Sequence, residues 1–177
     1  MSTSPAQPAS PFAAPVSART PVPSATQPAL SSAARSAATP IRVGGIVVRF
    51  LVERTHTQGG LAMFEFDLPA GARVPAAHSH DAYEETVYAL RGELTWTVGS
   101  ERFLLAPGEC AVIPRGAVHR FDNLGAETAT TLAVITPGVL GPEYFRDIAA
   151  VIAAAQGGPP DNARVAEVMR RHGLTPA

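Results

Sequence analysis

Between Ile41 and Pro137, apolar and polar residues alternate in short runs that Gly, Pro, Asn and Asp repeatedly interrupt. A period of two marks a strand with one face buried. The pattern predicts strands in "IVVRFLVE" (46–53) and "LAMFEFDL" (61–68), which flank the loop "RTHTQGG", and then in "ETVYALRG" (85–92) and "ELTWTVG" (93–99). "ERFLLAPG" (101–108), "CAVIP" (110–114), "AVHRFDN" (117–123) and "TATTLAVIT" (128–136) complete the set. Gly99-Ser100 is long enough only for a tight hairpin. Strands this short, so closely spaced by turn residues, predict an antiparallel sandwich or barrel.

From Gly141 the period changes. "PEYFRDIAAVIAAA" (142–155) places Phe145, Ile148 and Ile152 on one helical face, with Pro142 suited to the first turn. "GGPP" (157–160) breaks the pattern, Asp161 can cap a second helix, "NARVAEVMRRH", and Gly173 stops it. The break is long for a DNA-reading helix-turn-helix and no basic face accompanies it, so the pair is expected to lie over the barrel and cover apolar surface. The expected boundaries are a tail over 1–40, a β-domain over 41–140 and a helical extension over 141–177.

Residues 1–40 are a different material. Ala, Ser, Pro and Thr make up 31 of the 40, and the first acidic residue is Glu53. Such a composition buries too little apolar surface to offset chain entropy, which predicts a disordered tail. Arg19 and Arg35 without an acid resemble an organelle transit peptide, but basic amphipathic periodicity is lacking, as is the apolar core of a secretory signal. No apolar run approaches the roughly 20 residues that span a bilayer. A cytoplasmic protein with no membrane partner is the expectation.

Composition narrows the partners. The net charge is −1, which gives no global field for nucleic acid, and all 14 cations are scattered arginines. Cys110 is the only cysteine, so no disulfide forms within the chain; it reads as a small buried apolar residue with no chemical role.

The chemistry concentrates in "HSHDAYEETVYALRGE" (78–93). Alternate strand residues share a face, so His78 and His80 point the same way and can grip one metal ion. Glu84 or Glu85 follows after a short loop and brings a carboxylate to the same pocket. A second stretch, "GECAVIPRGAVHRFDN" (108–123), shapes two turns and then presents His119 at the start of a strand. His56 and His172 have no motif around them and are not proposed as ligands.

Together these stretches resemble the cupin superfamily, whose motifs are G-x5-H-x-H-x3,4-E-x6-G and G-x5-P-x-G-x2-H-x3-N. The second is matched at every position by Gly108, Pro114, Gly116, His119 and Asn123. In the first, His78, His80, Glu85 and Gly92 fit, while six residues instead of five separate Gly71 from His78. Glu84 would leave seven residues before Gly92, so the spacing favours Glu85. The resemblance covers roughly residues 45–137 and is closest in kind to small single-domain bacterial members.

That resemblance implies an all-β antiparallel jelly-roll barrel, followed here by the pair of helices, usually dimeric, with one metal inside. His78, His80, Glu85 and His119 are the implied ligands. Three imidazoles and a carboxylate suit Fe, Mn, Ni, Cu or Zn and not Ca. Glu85 is also the implied general base, as in quercetinase-like members. The implied activity is that of a metal-dependent dioxygenase-type oxidoreductase on a small enolic or aromatic substrate. A non-catalytic small-molecule binder or sensor and a metal-assisted isomerase are the alternatives.

Strand alternation from His119 turns Phe121 and Asn123 inward, and from Glu85 it turns Val87 and Ala89 inward. Trp96 and either Met63 with Glu65 or Phe64 with Phe66 would complete the apolar wall. Tyr83 is placed in the loop at the mouth, and Tyr88, one off the inward register, against a partner subunit or terminal segment.

Overall fold

A computed structural model describes residues 39–74 and 76–177. The expected tail falls almost wholly outside the described residues. Eleven strands and two helices follow one another as β1 (Ile41–Val43), β2 (Ile46–Val52), β3 (Ala62–Leu68), β4 (His78–His80), β5 (Glu84–Arg91), β6 (Leu94–Val98), β7 (Glu101–Leu105), β8 (Cys110–Ile113), β9 (His119–Asp122), β10 (Ala129–Thr136), α1 (Pro142–Ala154), α2 (Asn162–Arg171) and β11 (Leu174–Pro176). The strands form two antiparallel sheets, ordered β1-β2-β3-β10-β5-β8 and β11-β4-β9-β6-β7. This is the two-sheet jelly-roll arrangement expected from the sequence.

Alternation decides what lies between the sheets. In β3 Ala62, Phe64, Phe66 and Leu68 are buried. Glu65 and Asp67 project outward instead, and both pair with Arg49 of β2. The inward pair is therefore Phe64 and Phe66. Trp96, Leu94, Ile113 and Ile135 are also fully buried, each contributing about 1.5–3 kcal/mol by leaving water. Val87 and Ala89 face the same interior. Tyr88, as its register predicts, stands outside and is exposed.

Turns and clips hold the register. Gly99 at φ 58° closes the two-residue hairpin from β6 to β7. Gly92, at φ 64°, lets β5 run into β6 beside β10: a Cβ there would come within 2.8 Å of the Ala129 Cα. Asn123 is buried but does not enter a pocket. Its Nδ2 donates to the Leu68 and Glu127 carbonyls at 2.9 and 2.8 Å, and its Oδ1 accepts from Gly125 N–H. It clips the loop before β10 to the end of β3.

The C-terminal segment does more than cover surface. Pro142 opens α1, and the Asp161 carboxylate caps α2 by accepting from the Ala163 and Arg164 N–H groups. His172 at the end of α2 lies 2.9 Å from Asp147 of α1 and ties the helices together. The chain then returns as β11 and pairs with β4, Leu174 opposite His80 and Pro176 opposite His78. This strand is absent from the sequence pattern. Cys110 also departs from expectation: it is exposed at the start of edge strand β8, because its register is that of outward-facing Tyr88.

Candidate metal centre

The two sheets deliver the site from opposite sides. His78 and His119 are directly opposed across β4 and β9, while His80 lies two residues along β4 on the same face. Glu85 comes from β5 of the other sheet. Its Oε2 lies 3.5 Å from both His80 Nε2 and His119 Nε2. One ligand atom from each of His80, Glu85 and His119 falls within 4.8 Å of the others. His78 stands beside this trio rather than within it, its ring centre 4.5 Å from that of His119. Glu84 points outward, exposed, toward Arg115 at 3.6 Å.

The backbone fixes how the rings are presented. His80 Nδ1 donates to the Tyr83 carbonyl at 2.9 Å and His119 Nδ1 to that of Ala117 at 3.0 Å. His78 Nδ1 faces the Ala76 carbonyl at 3.4 Å. A carbonyl only accepts, so in the neutral rings the proton sits on Nδ1 and Nε2 offers a lone pair. The Nε2 atoms of His80 and His119 are buried without a hydrogen-bond partner. Two lone pairs and a carboxylate oxygen thus meet with nothing to donate to them.

A proton or a metal cation relieves that clash of acceptors. Burial opposes the charge on both Glu85 and His119, yet each supports the other: the Glu85 carboxyl is held down at about 2, and the His119 imidazole is raised. His78 is pushed down to about 4, first by burial and then by the neighbouring His119. Ligand atoms about 2.1 Å from one ion lie about 3.0–3.4 Å apart at octahedral to tetrahedral angles, close to the 3.5 Å seen here. The donor set, imidazole plus carboxylate, fits a first-row divalent metal. Carbonyl contacts behind the rings are the usual device for aiming metal-binding imidazoles.

Above the trio lies a cavity of about 360 Å³, in the size range of small-molecule sites. Glu85 and His78 line its base and Val48, Phe64, Phe66 and Phe121 its wall. Its roof comes from α1, α2 and the β1–β2 turn, so the face of Phe145, Ile148 and Ile152 lines a pocket. Arg73 is the one arginine on the lining among the described residues.

Tyr83 corrects a sequence expectation. It is only 1% exposed, and its ring stacks on His80 with centres 4.0 Å apart. Burial and the Glu85 charge push its phenol, and that of Tyr144 on α1, above the ordinary tyrosine range, so both keep their protons at neutral pH. Tyr144 had no signal in the sequence beyond its place in an apolar helix. His56, half-buried, accepts the Glu53 N–H through Nδ1 and does not belong to the trio.

Residues 64–135 match the family model described as "Cupin domain". The chain is 31% identical over 101 residues to quercetin 2,3-dioxygenase of Bacillus subtilis (strain 168), a match spanning 56% of this chain and 29% of that protein. It therefore covers under a third of that relative's length. A structure described as a predicted oxalate decarboxylase from Thermotoga maritima superposes with a TM-score of 0.53 at 22% identity, over 56% of this chain and 93% of that one. The oxalate decarboxylase of Lactobacillus farciminis, in complex with formate, gives 0.53 at 20% identity over 59% and 32%. At such identities these structures speak for the fold alone. Family match and two-sheet barrel agree with the paired histidine motifs: the chain carries a domain of the cupin superfamily.

Proposed function

We propose that this protein is a metal-dependent dioxygenase-type oxidoreductase acting on a small enolic or aromatic substrate. The observation that carries the reading is the trio of His80, Glu85 and His119, with two partnerless buried Nε2 atoms, whose Glu85 opens onto an apolar cavity beside His78. Likeness to a quercetin 2,3-dioxygenase supports the same class. His80, Glu85 and His119 would hold the ion, with His78 beside them as the fourth candidate. A divalent metal bound there would supply Lewis-acid polarisation and, if iron, copper, nickel or manganese, a route to dioxygen.

The chain's own residues do the rest. The cavity wall of Phe64, Phe66 and Phe121 binds a flat apolar body and excludes water from the reacting end. Glu85 lines the cavity and serves as the acceptor for the proton of a substrate hydroxyl, which a bound metal would make more acidic. The outer face of β5 and β8, with Tyr88, Leu90 and Val112 exposed, supports the further reading that two copies pair there as a homodimer. No helix among the described residues is long and apolar enough to cross a membrane.

Elemental analysis of the purified protein, followed by oxygen uptake with flavonols, catechols and β-diketones, tests the assignment. Uptake that is lost in His119→Ala is expected. No uptake by protein loaded with each of iron, copper, nickel and manganese would move the assignment to a binding module or an isomerase.

A further inference from the structure

The cavity is apolar except for a few groups, and two of those have no task in holding a metal. Tyr83 and Tyr144 both line it, alongside Glu85 and His78. They come from unrelated places: Tyr83 from the turn between β4 and β5, Tyr144 from the first turn of α1. Each is largely buried, at 1% and 8% exposed. Their rings are fixed by packing, Tyr83 flat on His80 and Tyr144 edge-on to Phe145 and His172. Neither hydroxyl is among the polar atoms that are both sealed from solvent and without a partner, and both side chains line the cavity. A phenol facing such a space can give its proton to water or, when the water is displaced, to a ligand oxygen.

We propose that Tyr83 and Tyr144 are the substrate-recognising donors of this cavity, a two-phenol cradle that selects flat apolar molecules bearing adjacent oxygen atoms. The inference rests on the proposed reading of the site and names its substrate class. One oxygen of a catechol- or enediol-type group faces Glu85, and its neighbour accepts from the two phenols. Tyr144 rides on the roof helix, so oxygen recognition also seats α1 over the occupied pocket. A site built to hydrogen-bond ligand oxygens discriminates strongly against analogues that lack them.

The test uses the full chain and the chromophoric catechol 4-nitrocatechol, whose absorbance shift reports binding without turnover. Tyr83→Phe and Tyr144→Phe are each expected to weaken binding about tenfold, the loss of one hydrogen bond of about 1.4 kcal/mol. Metal content and melting temperature should be retained, and Tyr88→Phe, on the outer face, should bind as the parent does. Parent-like affinity in both cavity variants, or no binding of the probe by the parent protein, would overturn the proposal. Oxygen uptake is scored separately. Phenol-dependent binding without uptake defeats the dioxygenase reading and leaves the cradle standing; uptake with affinity indifferent to both phenols does the reverse.

Discussion

The base and the roof of the cavity are built on opposite plans. At the base, buried imidazoles and a carboxylate converge from two sheets, and carbonyls behind them fix which ring nitrogen faces inward. At the roof, apolar side chains of two short helices lie over the opening, and the chain is pinned by a terminal strand of three residues. The base is defined by hydrogen bonds, which tolerate little displacement, whereas the roof is defined by area, which tolerates substitution but not removal. The difference assigns chemistry to one region and access and selection to the other. A direct joint between them is the pairing of β11 with β4, the strand that carries His78 and His80.

Cutting the chain after Leu140 breaks the comparison most violently. Ile148, Val165, Val168, Met169 and Leu174 are all buried, and at about 1.5–3 kcal/mol each their loss rivals the whole stability of a domain, about 5–15 kcal/mol. Insoluble or unfolded protein by circular dichroism is expected; a truncated chain that melts like the parent would show the roof to be an appendage. Trp96→Ala comes next. The ring is fully buried between Phe121 and the His119 side of the site, and its removal should cost about 3–5 kcal/mol in chemical denaturation.

A finer cut removes only residues 174–177. Metal affinity by competition with a chelator should fall about 10- to 100-fold, as when outer contacts of metal ligands are lost, while most of the barrel's stability remains. Acidification should act on the base alone. Glu85, held at about 2, stays ionised until far below neutrality, so the first proton to compete with the metal goes to His119, whose basicity is raised. Retained metal, measured after dialysis across a pH series, should decline on acidification as protons displace the metal from the imidazoles; retention indifferent to pH would remove His119 from the ligand set. The smallest effect is expected from Asp161→Ala, which strips the α2 cap for about 1 kcal/mol and should lower the melting temperature without touching metal content.

The base was legible in the sequence because its physics is local. Strand alternation put Val87 and Ala89 inward with Glu85, and the spacing to Gly92 pointed to Glu85 over Glu84, which the structure turns to solvent. Gly71, one residue off the motif, still makes its turn at φ 72°. The roof was legible only in part. The stripe of Phe145, Ile148 and Ile152 announced a buried helix face, but what such a face covers depends on partners distant in sequence. β11 left no trace, being three residues with a proline among them and paired to a strand almost a hundred residues earlier. Tyr83 was read as a mouth residue because a turn between strands is usually exposed; stacking on His80 carries it inward. Cys110 departs from the usual burial of cysteine because register, which pairs it with outward-facing Tyr88, overrides that tendency.

Anomalous diffraction from crystals of the metal-loaded protein, collected at the absorption edge of the bound element, addresses the central claim directly. The account predicts a single strong peak bounded by His80 Nε2, His119 Nε2 and Glu85 Oε2. A cavity base without a peak in protein shown to contain metal, or a peak held by other side chains, would contradict it.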